Sequence, residues 1–301
     1  MKRKKKYSRK ALREATQGYV FMSPTVFVLA MFIIGPLLYA VFLSFHKVQL
    51  LGTTSYKFVG LDNFLRIADD QRALIALWNT FKYVVIVVPI QTLLALVLAA
   101  ILNAGLKAQK FFRIVYFLPT LTSSAVLALI FMWMYNKNGL INHVLDLVGL
   151  PTYNWIGDPN VALTSIMIMN IWSTAPYFMV IYLAALQEIP DSIYEAADLD
   201  GANVIQKFWH ITVPNLRPIT SFVVIMGLIG TFQLFDQSYI FSGGSGGPNN
   251  ATLTVVLLIY QYAFKSLGTM GYAAALALLL AIVILIATLL QRKLSKEESL
   301  Y

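Results

Sequence analysis

Six apolar runs, at roughly 20–45, 79–102, 114–135, 161–185, 219–241 and 271–290, alternate with short polar stretches along this chain. Each is near the about 20 residues that a helix needs to cross the hydrocarbon core of a bilayer. Runs such as VVIVVPIQTLLALVLAAIL lack the period-two alternation of a membrane barrel strand, so the pattern predicts helices. The runs 79–102 and 114–135 carry almost no charge beyond Lys82. One stretch breaks the rhythm. Residues 195–214, EAADLDGANVIQKFWHITVP, hold Glu195, Asp198, Asp200, Lys207 and His210, with a glycine in the middle and a proline at the end.

Composition agrees with a membrane protein: 58% of residues are hydrophobic and 12% charged, against roughly 25% charged in a soluble domain. The start, MKRKKKYSRKALREATQGY, has the basic flank of a signal peptide. The apolar run behind it exceeds an h-region of about 7–15 residues, so it is expected to be an uncleaved first span. The absence of cysteine removes disulfide and thiol chemistry.

Lysine and arginine beside spans orient them. With the N-terminus inside, eight fall in the N-terminal arm, three in 103–113 (Lys107, Lys110, Arg113), two in 184–218 and three in the tail (Arg292, Lys293, Lys296). Seven remain outside. The expected topology is therefore six spans with both termini and the loop 184–218 in the cytoplasm. The net charge of +9 is mainly this topological signal rather than a nucleic-acid footprint.

Within that loop, Pro190 breaks away from the fourth span, and Ser192 with Glu195 fits a capping box that opens a short helix through Asp200. Gly201 occupies the left-handed position that closes such a helix. Asn203 and Gln206 can cap a second helix through His210, and Thr212, Val213 and Pro214 are expected to end it. A helix, glycine bend, helix knob of this length is not stable alone in water. By itself it serves an ordinary capped connection as well as a docking element. The small pair Ala196 and Ala197 lets a partner approach closely.

At this point the sequence resembles a family. Glu195, Ala196 and Ala197, then Gly201, Ile211 and Pro214, follow the EAA loop, EAA-x3-G-x9-I-x-L-P, of binding-protein-dependent ABC importer permeases, with Val213 in place of leucine. FVGLDNF (58–64), ALWNT (76–80), FLPTLTSSAVLALIFMWMYNKNGLIN, NIWSTAPY and GGPNNATLTVVLLIYQYAF are similar to the sugar-importing branch, of the maltose and glycerol-3-phosphate permease type.

The resemblance implies an all-α integral membrane protein with six transmembrane helices in the type I importer (MetI-like) permease fold. It implies a basic cytoplasmic arm (1–18), a permease domain (19–291) with a coupling loop (186–218), and a cytoplasmic tail (292–301). It also implies two separate ATP-binding subunits engaged through the loop, a second homologous permease forming a heterodimer, an extracytoplasmic solute-binding protein, and a cytoplasmic membrane setting. Glu195 would make the polar contact to the ATPase. This chain would bind no cofactor, with ATP and magnesium held by the partner subunits.

No G-x-x-x-x-G-K-[ST] phosphate cradle occurs. GGSGGP (243–248) lacks the lysine and reads as a flexible external turn. His46, His143 and His210 are scattered without metal-ligand spacing. The sequon at Asn250 is too short a pattern to carry weight.

Polar residues within spans face a bundle interior or a wet cavity. Asn170, Ser173, Thr174 and Tyr177 fall on one helical stripe of the fourth span, beside Pro176, which is expected to loosen the helix. Gly230, Thr231, Gln233, Asp236 and Gln237 form a polar patch in the fifth. Hydroxyls, amides and rings suit a sugar, and packing between helices is the plain alternative. Residues 64–78 are amphipathic and suit the membrane surface.

The function expected is the transmembrane subunit of an ATP-driven sugar or polyol importer. The alternative is an ion-coupled secondary transporter or channel, for which Asp236 is the one candidate coupling residue, and the two halves of the chain show no convincing repeat. A membrane enzyme lacks a catalytic constellation.

Overall fold

The computed structural model describes residues 9–49, 55–104 and 109–298. The first eight residues of the basic arm, Lys107 and the last three residues of the tail lie outside these. Helix α1 (Arg9–Leu29) widens through a π-helical turn, Ala30–Ile34, into α2 (Gly35–Ser44). A two-stranded antiparallel ribbon, β1 (His46–Gln49) and β2 (Ser55–Phe58), comes next, with His46 opposite Phe58, and is an addition to the all-α expectation. Then come α3 (Asp62–Asp69), α4 (Gln71–Asn103), α5 (Gln109–Phe117), a 3-10 turn (Leu118–Leu121), α6 (Ser124–Met134) and α7 (Leu140–Leu147). The second half holds α8 (Ala162–Leu186), α9 (Asp191–Leu199), α10 (Val204–Lys207), α11 (Val213–Asn215) and α12 (Arg217–Phe232). Helices α13 (Asp236–Phe241), α14 (Val255–Tyr260) and α15 (Met270–Glu298) complete it.

Five of the six expected spans are helices long and apolar enough to cross a membrane: Arg13–Ser44, Gln71–Asn103, Ala162–Leu186, Arg217–Phe241 and Met270–Ser295. The third is not one rod. Lys110–Leu121 and Ser124–Met134 meet at a bend of 100°. Proline alone does not explain the break, because α4 runs through Pro89 and α8 through Pro176 without interruption, against the loosening expected at Pro176. The residues after Pro119 make the difference. Thr120 Oγ1 donates to Phe117 O, Thr122 is extended, and Ser123 Oγ accepts Val126 N to start α6. These side chains replace backbone bonds that a lipid environment leaves unmade.

Helix α4 is the central mast. On one face of its first half Ala73, Ala76, Val84 and Val88 pack with α14 and α15. Mid-height, Tyr83 and Val87 meet Ile166, Met167 and Met169 of α8 and Phe131 of α6. At the other end Ala95, Ala99 and Leu102 close on Ala175, Met179, Tyr182 and Leu186 of α8. Small side chains let membrane helices approach where apolar burial brings little gain. The first span stays at the edge, with α2 packed on α15.

The amphipathic segment 64–78 is split, not continuous. Helix α3 stops at Asp70, which is extended (ψ 102°) and caps α4 by accepting Arg72 N at 2.9 Å. Asp70 Oδ2 also accepts Tyr262 Oη at 2.8 Å and Tyr272 Oη at 2.9 Å. The Arg66 guanidinium lies 4.5 Å over the Tyr272 ring, and Arg72 donates to Gln261 Oε1. One carboxylate thus joins the α3–α4 corner to the segment after α14 and to α15. The loop 243–248 is likewise not a flexible turn. Gln261 Nε2 donates to Gly244 O, Thr252 N to Gly246 O and Thr252 Oγ1 to Gly247 O, while Asn79 Nδ2 holds the carbonyls of Asn250 and Leu253.

Partial burial raises the Asp70 pKa, and hydrogen bonds from Tyr262, Tyr272 and the backbone outweigh it, so the carboxyl sits below the ordinary 3.8. A depressed folded pKa contributes stability that is present above the unfolded value and lost as pH falls through the folded one. Asp70→Ala should therefore cost about 1–2 kcal/mol at neutral pH, from a lost cap and two charge-assisted bonds at a partly solvated site. Thermal melts of both proteins across pH check this: the difference should hold above pH 3.8 and shrink below it.

Candidate functional site

Two places answer to the residues singled out by sequence, one at the end of α8 and one beside its middle.

The first is the knob of α9, α10 and α11. Helix α9 begins at Asp191, directly after an extended Pro190, and the Ser192 capping box does not form: no side chain caps this helix. The acidic side chain in the first turn suits the helix dipole instead. At the far end Gly201 has φ +75°, Gly201 N donates to Asp198 O and Ala202 N to Ala197 O. This pair of bonds is a Schellman closure, which a left-handed glycine favours. The second capping box does form, with Gln206 N to Asn203 Oδ1 at 2.9 Å and Asn203 N to Gln206 Oε1 at 2.8 Å. Lys207 Nζ meets Asp198 Oδ1 at 2.6 Å and locks the two limbs together.

The second limb does not end at Val213 and Pro214. It widens into a π-helical turn over Phe208–Thr212 and continues as α11 to Asn215. The wider turn carries the chain past Pro214, whose missing N–H and ring disfavour a regular α-turn.

The knob has a root and a free face. Its root is Thr212, buried and bonded to Tyr194 Oη at 2.9 Å, with Ile189, Phe208 and Val213 packed on the lower core and Ile211 and Pro214 half-buried. Its free face carries Glu195, Ala196 and Gly201, all exposed, and Ala197, half-buried. Around the bend Leu199, Val204, Ile205 and Trp209 are also exposed, Leu199 by 91%. This apolar rim was not singled out by sequence. Its signal was the placing of four large apolar residues in a loop otherwise polar enough for water.

The second place is a cavity of about 280 Å³ in the elbow of the third span. Ser173, Thr174 and Tyr177 of α8 line it, opposite Thr120, Thr122 and Ser124 of the broken span and Gln237 of α13, and Pro119, Leu127, Met169 and Phe178 make the rest of its wall apolar. Asn170 belongs to the same stripe but is buried and is not part of this wall. Thr231 is buried too, its hydroxyl bonded to Gly227 O. Gln233 is exposed where α12 ends, outside the cavity wall. The fifth run is thus interrupted by residues 233–235. Asp236 is exposed in the first turn of α13, and its Oδ2 accepts Ser124 Oγ at 2.5 Å. The serine and threonine run after Pro119 was the unread signal for the opposite wall. A larger space of about 600 Å³ on the other side of the bend is walled by Leu118, Ile130, Phe131, Met134 and Trp172. It offers almost no hydrogen-bonding partner and does not suit a polyhydroxylated solute.

Residues 91–297 match the family of binding-protein-dependent transport system inner membrane components. The chain is 38% identical to the probable ABC transporter permease protein YurN of Bacillus subtilis, covering 92% of this chain and 95% of that protein. It is 35% identical to the lactose transport system permease protein LacF of Rhizobium radiobacter (93% and 94% covered). It is 33% identical to the trehalose/maltose transport system permease protein MalF of Thermococcus litoralis (94% and 95% covered). Its fold superposes on a chain of the bacterial alginate ABC transporter, crystallised with an alginate pentasaccharide-bound periplasmic protein. The TM-score is 0.83, at 20% identity, with 96% of each chain covered.

Gly201→Val should strain the Schellman bend without touching the span core. Hydrogen exchange at the amides of Gly201 and Ala202 should quicken while the melting temperature of the whole chain stays put.

Proposed function

Because the chain belongs to the binding-protein-dependent transport system inner membrane components and has the type I importer permease fold, we propose that it conducts a sugar through an ATP-driven importer. The observation that carries this reading is the pairing of a capped, two-limbed EAA knob at one end of α8 with a hydroxyl- and amide-lined cavity beside the middle of the same helix. Relatives named for lactose, trehalose/maltose and arabinooligosaccharides support a sugar as the solute.

In this reading both termini and the knob face the cytoplasm. Each of two ATP-binding partners holds ATP and magnesium, and one receives the knob. Glu195 offers it a charged contact, Ala196 and Ala197 allow close approach, and Leu199, Val204, Ile205 and Trp209 seat in its cleft. Ile211 and Pro214 stay at the root, so a push on the free face is passed along the chain to α12, and the Tyr194–Thr212 bond makes the two limbs of the knob move together. A second, non-identical permease completes the pathway, and a solute-binding protein docks at the opposite end.

Substrate contacts are assigned to Ser173, Thr174 and Tyr177, with Asp236 at the edge. Asn170 and Thr231 are buried in the surrounding structure, and Gln233 lies outside the cavity wall. Hydroxyls and a carboxamide match the alternating donors and acceptors of a sugar ring, and Tyr177 supplies a face for stacking.

The test is reconstitution of the tagged protein with whatever co-purifies from its own cell, and uptake of radiolabelled lactose, maltose, trehalose and arabinotriose. The expected outcome is ATP-dependent uptake of at least one, lost in Glu195→Lys with membrane insertion intact. Uptake that survives without ATP, or is unchanged in Glu195→Lys, would overturn the assignment.

A further inference from the structure

Behind the cavity wall two buried amides each lack a partner, Gln91 at its nitrogen and Asn170 at its oxygen, and Gln91 is the one that touches a cavity-lining side chain. Gln91 of α4 is 1% exposed, and its Oε1 accepts Thr174 Oγ1 at 2.8 Å. Its Nε2 has no hydrogen-bond partner. That nitrogen occupies the notch left by Gly227 of α12: a Cβ there would lie 2.6 Å from it. Turning the amide over would let Nε2 donate to Thr174 and set Oε1 against Gly227, so one end faces an apolar notch in both orientations. An unpaired amide in a membrane helix is costly, and a length-matched apolar side chain would avoid that cost.

The bond to Thr174 is what the amide retains. A threonine in a helix ordinarily turns its hydroxyl onto the carbonyl four residues back, and Thr174 Oγ1 is indeed 2.8 Å from Asn170 O. Gln91 provides a second partner at the same distance from outside the helix, across the α4–α8 contact. Its single hydrogen is shared between these two carbonyl oxygens, so the hydroxyl donates only to protein and both its lone pairs are left to accept from a solute in the cavity.

We infer that Gln91 is a positioning residue for transport: it fixes Thr174 as a hydrogen-bond acceptor towards a sugar hydroxyl, at the expense of chain stability. This rests on reading the cavity as the sugar site. Gly227 is the corresponding space-maker, since any side chain there would crowd the amide.

The test is a double-mutant cycle in the reconstituted importer, with KM and kcat measured for whichever of lactose, maltose, trehalose or arabinotriose is carried fastest. Gln91→Met should raise KM about three- to tenfold, the worth of one neutral hydrogen bond, and leave kcat within about twofold. Its melting temperature should equal or exceed that of the parent, because the orphan amide is gone. Thr174→Val should raise KM by a similar factor, and adding Gln91→Met to it should change KM no further. A raised KM for Thr174→Val with a normal one for Gln91→Met overturns the positioning role alone. Additive effects, or a lowered melting temperature with KM unchanged, would make Gln91 a packing residue. If Thr174→Val leaves KM unchanged, the sugar site lies elsewhere and this inference falls with it.

Discussion

The contact between α4 and α8 holds the rest of the molecule in place. It runs along nearly all of α8 and the last two thirds of α4, from Tyr83 and Ile166 to Leu102 and Leu186. Alanines at 95, 99 and 175 let the backbones close. In a lipid medium, where burying apolar surface brings little, this closeness is the main source of cohesion. Everything functional hangs from this pair. Helix α8 carries one cavity wall midway along and is followed directly by the knob, while α4 carries the amide that meets the wall from behind.

Helices that run straight and helices that break are used differently. The α4–α8 pair stays helical through two prolines, each helix giving up only the bond that its proline cannot donate. The third and fifth spans interrupt their helices, and each break is covered by polar side chains: Thr120 and Ser123 at one, and Thr254, whose Oγ1 donates to Leu234 O, at the other. The two breaks face each other across the Ser124 to Asp236 bond. Polar groups needed to mend the backbone therefore lie beside those that can meet a solute, and the cavity forms where the mending occurs.

Much of this was legible in the residues. Five spans are apparent from length and apolarity, and Gly201, Asn203 and Gln206 announce the bend and second cap by residue type and spacing. Ser192 misled because Pro190 already fixes an extended entry, after which α9 begins too early for that serine to cap it. The elbow at 122–123 was hidden because a proline in a span is usually tolerated, and only the Thr-Ser-Ser run behind it distinguishes a break. Residues 243–248 read as loose from composition. Their order comes from Gln261, Asn79 and Thr252, partners too distant in sequence for a local pattern to show. Asn170 and Thr174 share a stripe, yet lining of the cavity depends on where the third span folds away, which no periodicity in α8 records.

The elbow also sets a local condition on the bilayer. Its limbs, Lys110–Leu121 and Ser124–Met134, are roughly 18 Å and 17 Å long as helices. Set at 100°, the two limbs by themselves reach about 22 Å from tip to tip, short of the about 30 Å hydrocarbon thickness. Where lipid meets this face, it would have to thin or let headgroups dip towards the bend. The cavity would then lie at the edge of a dimple rather than deep in oil, and the insulating layer a polar solute has to pass would be made shallow by the shape of one bent helix.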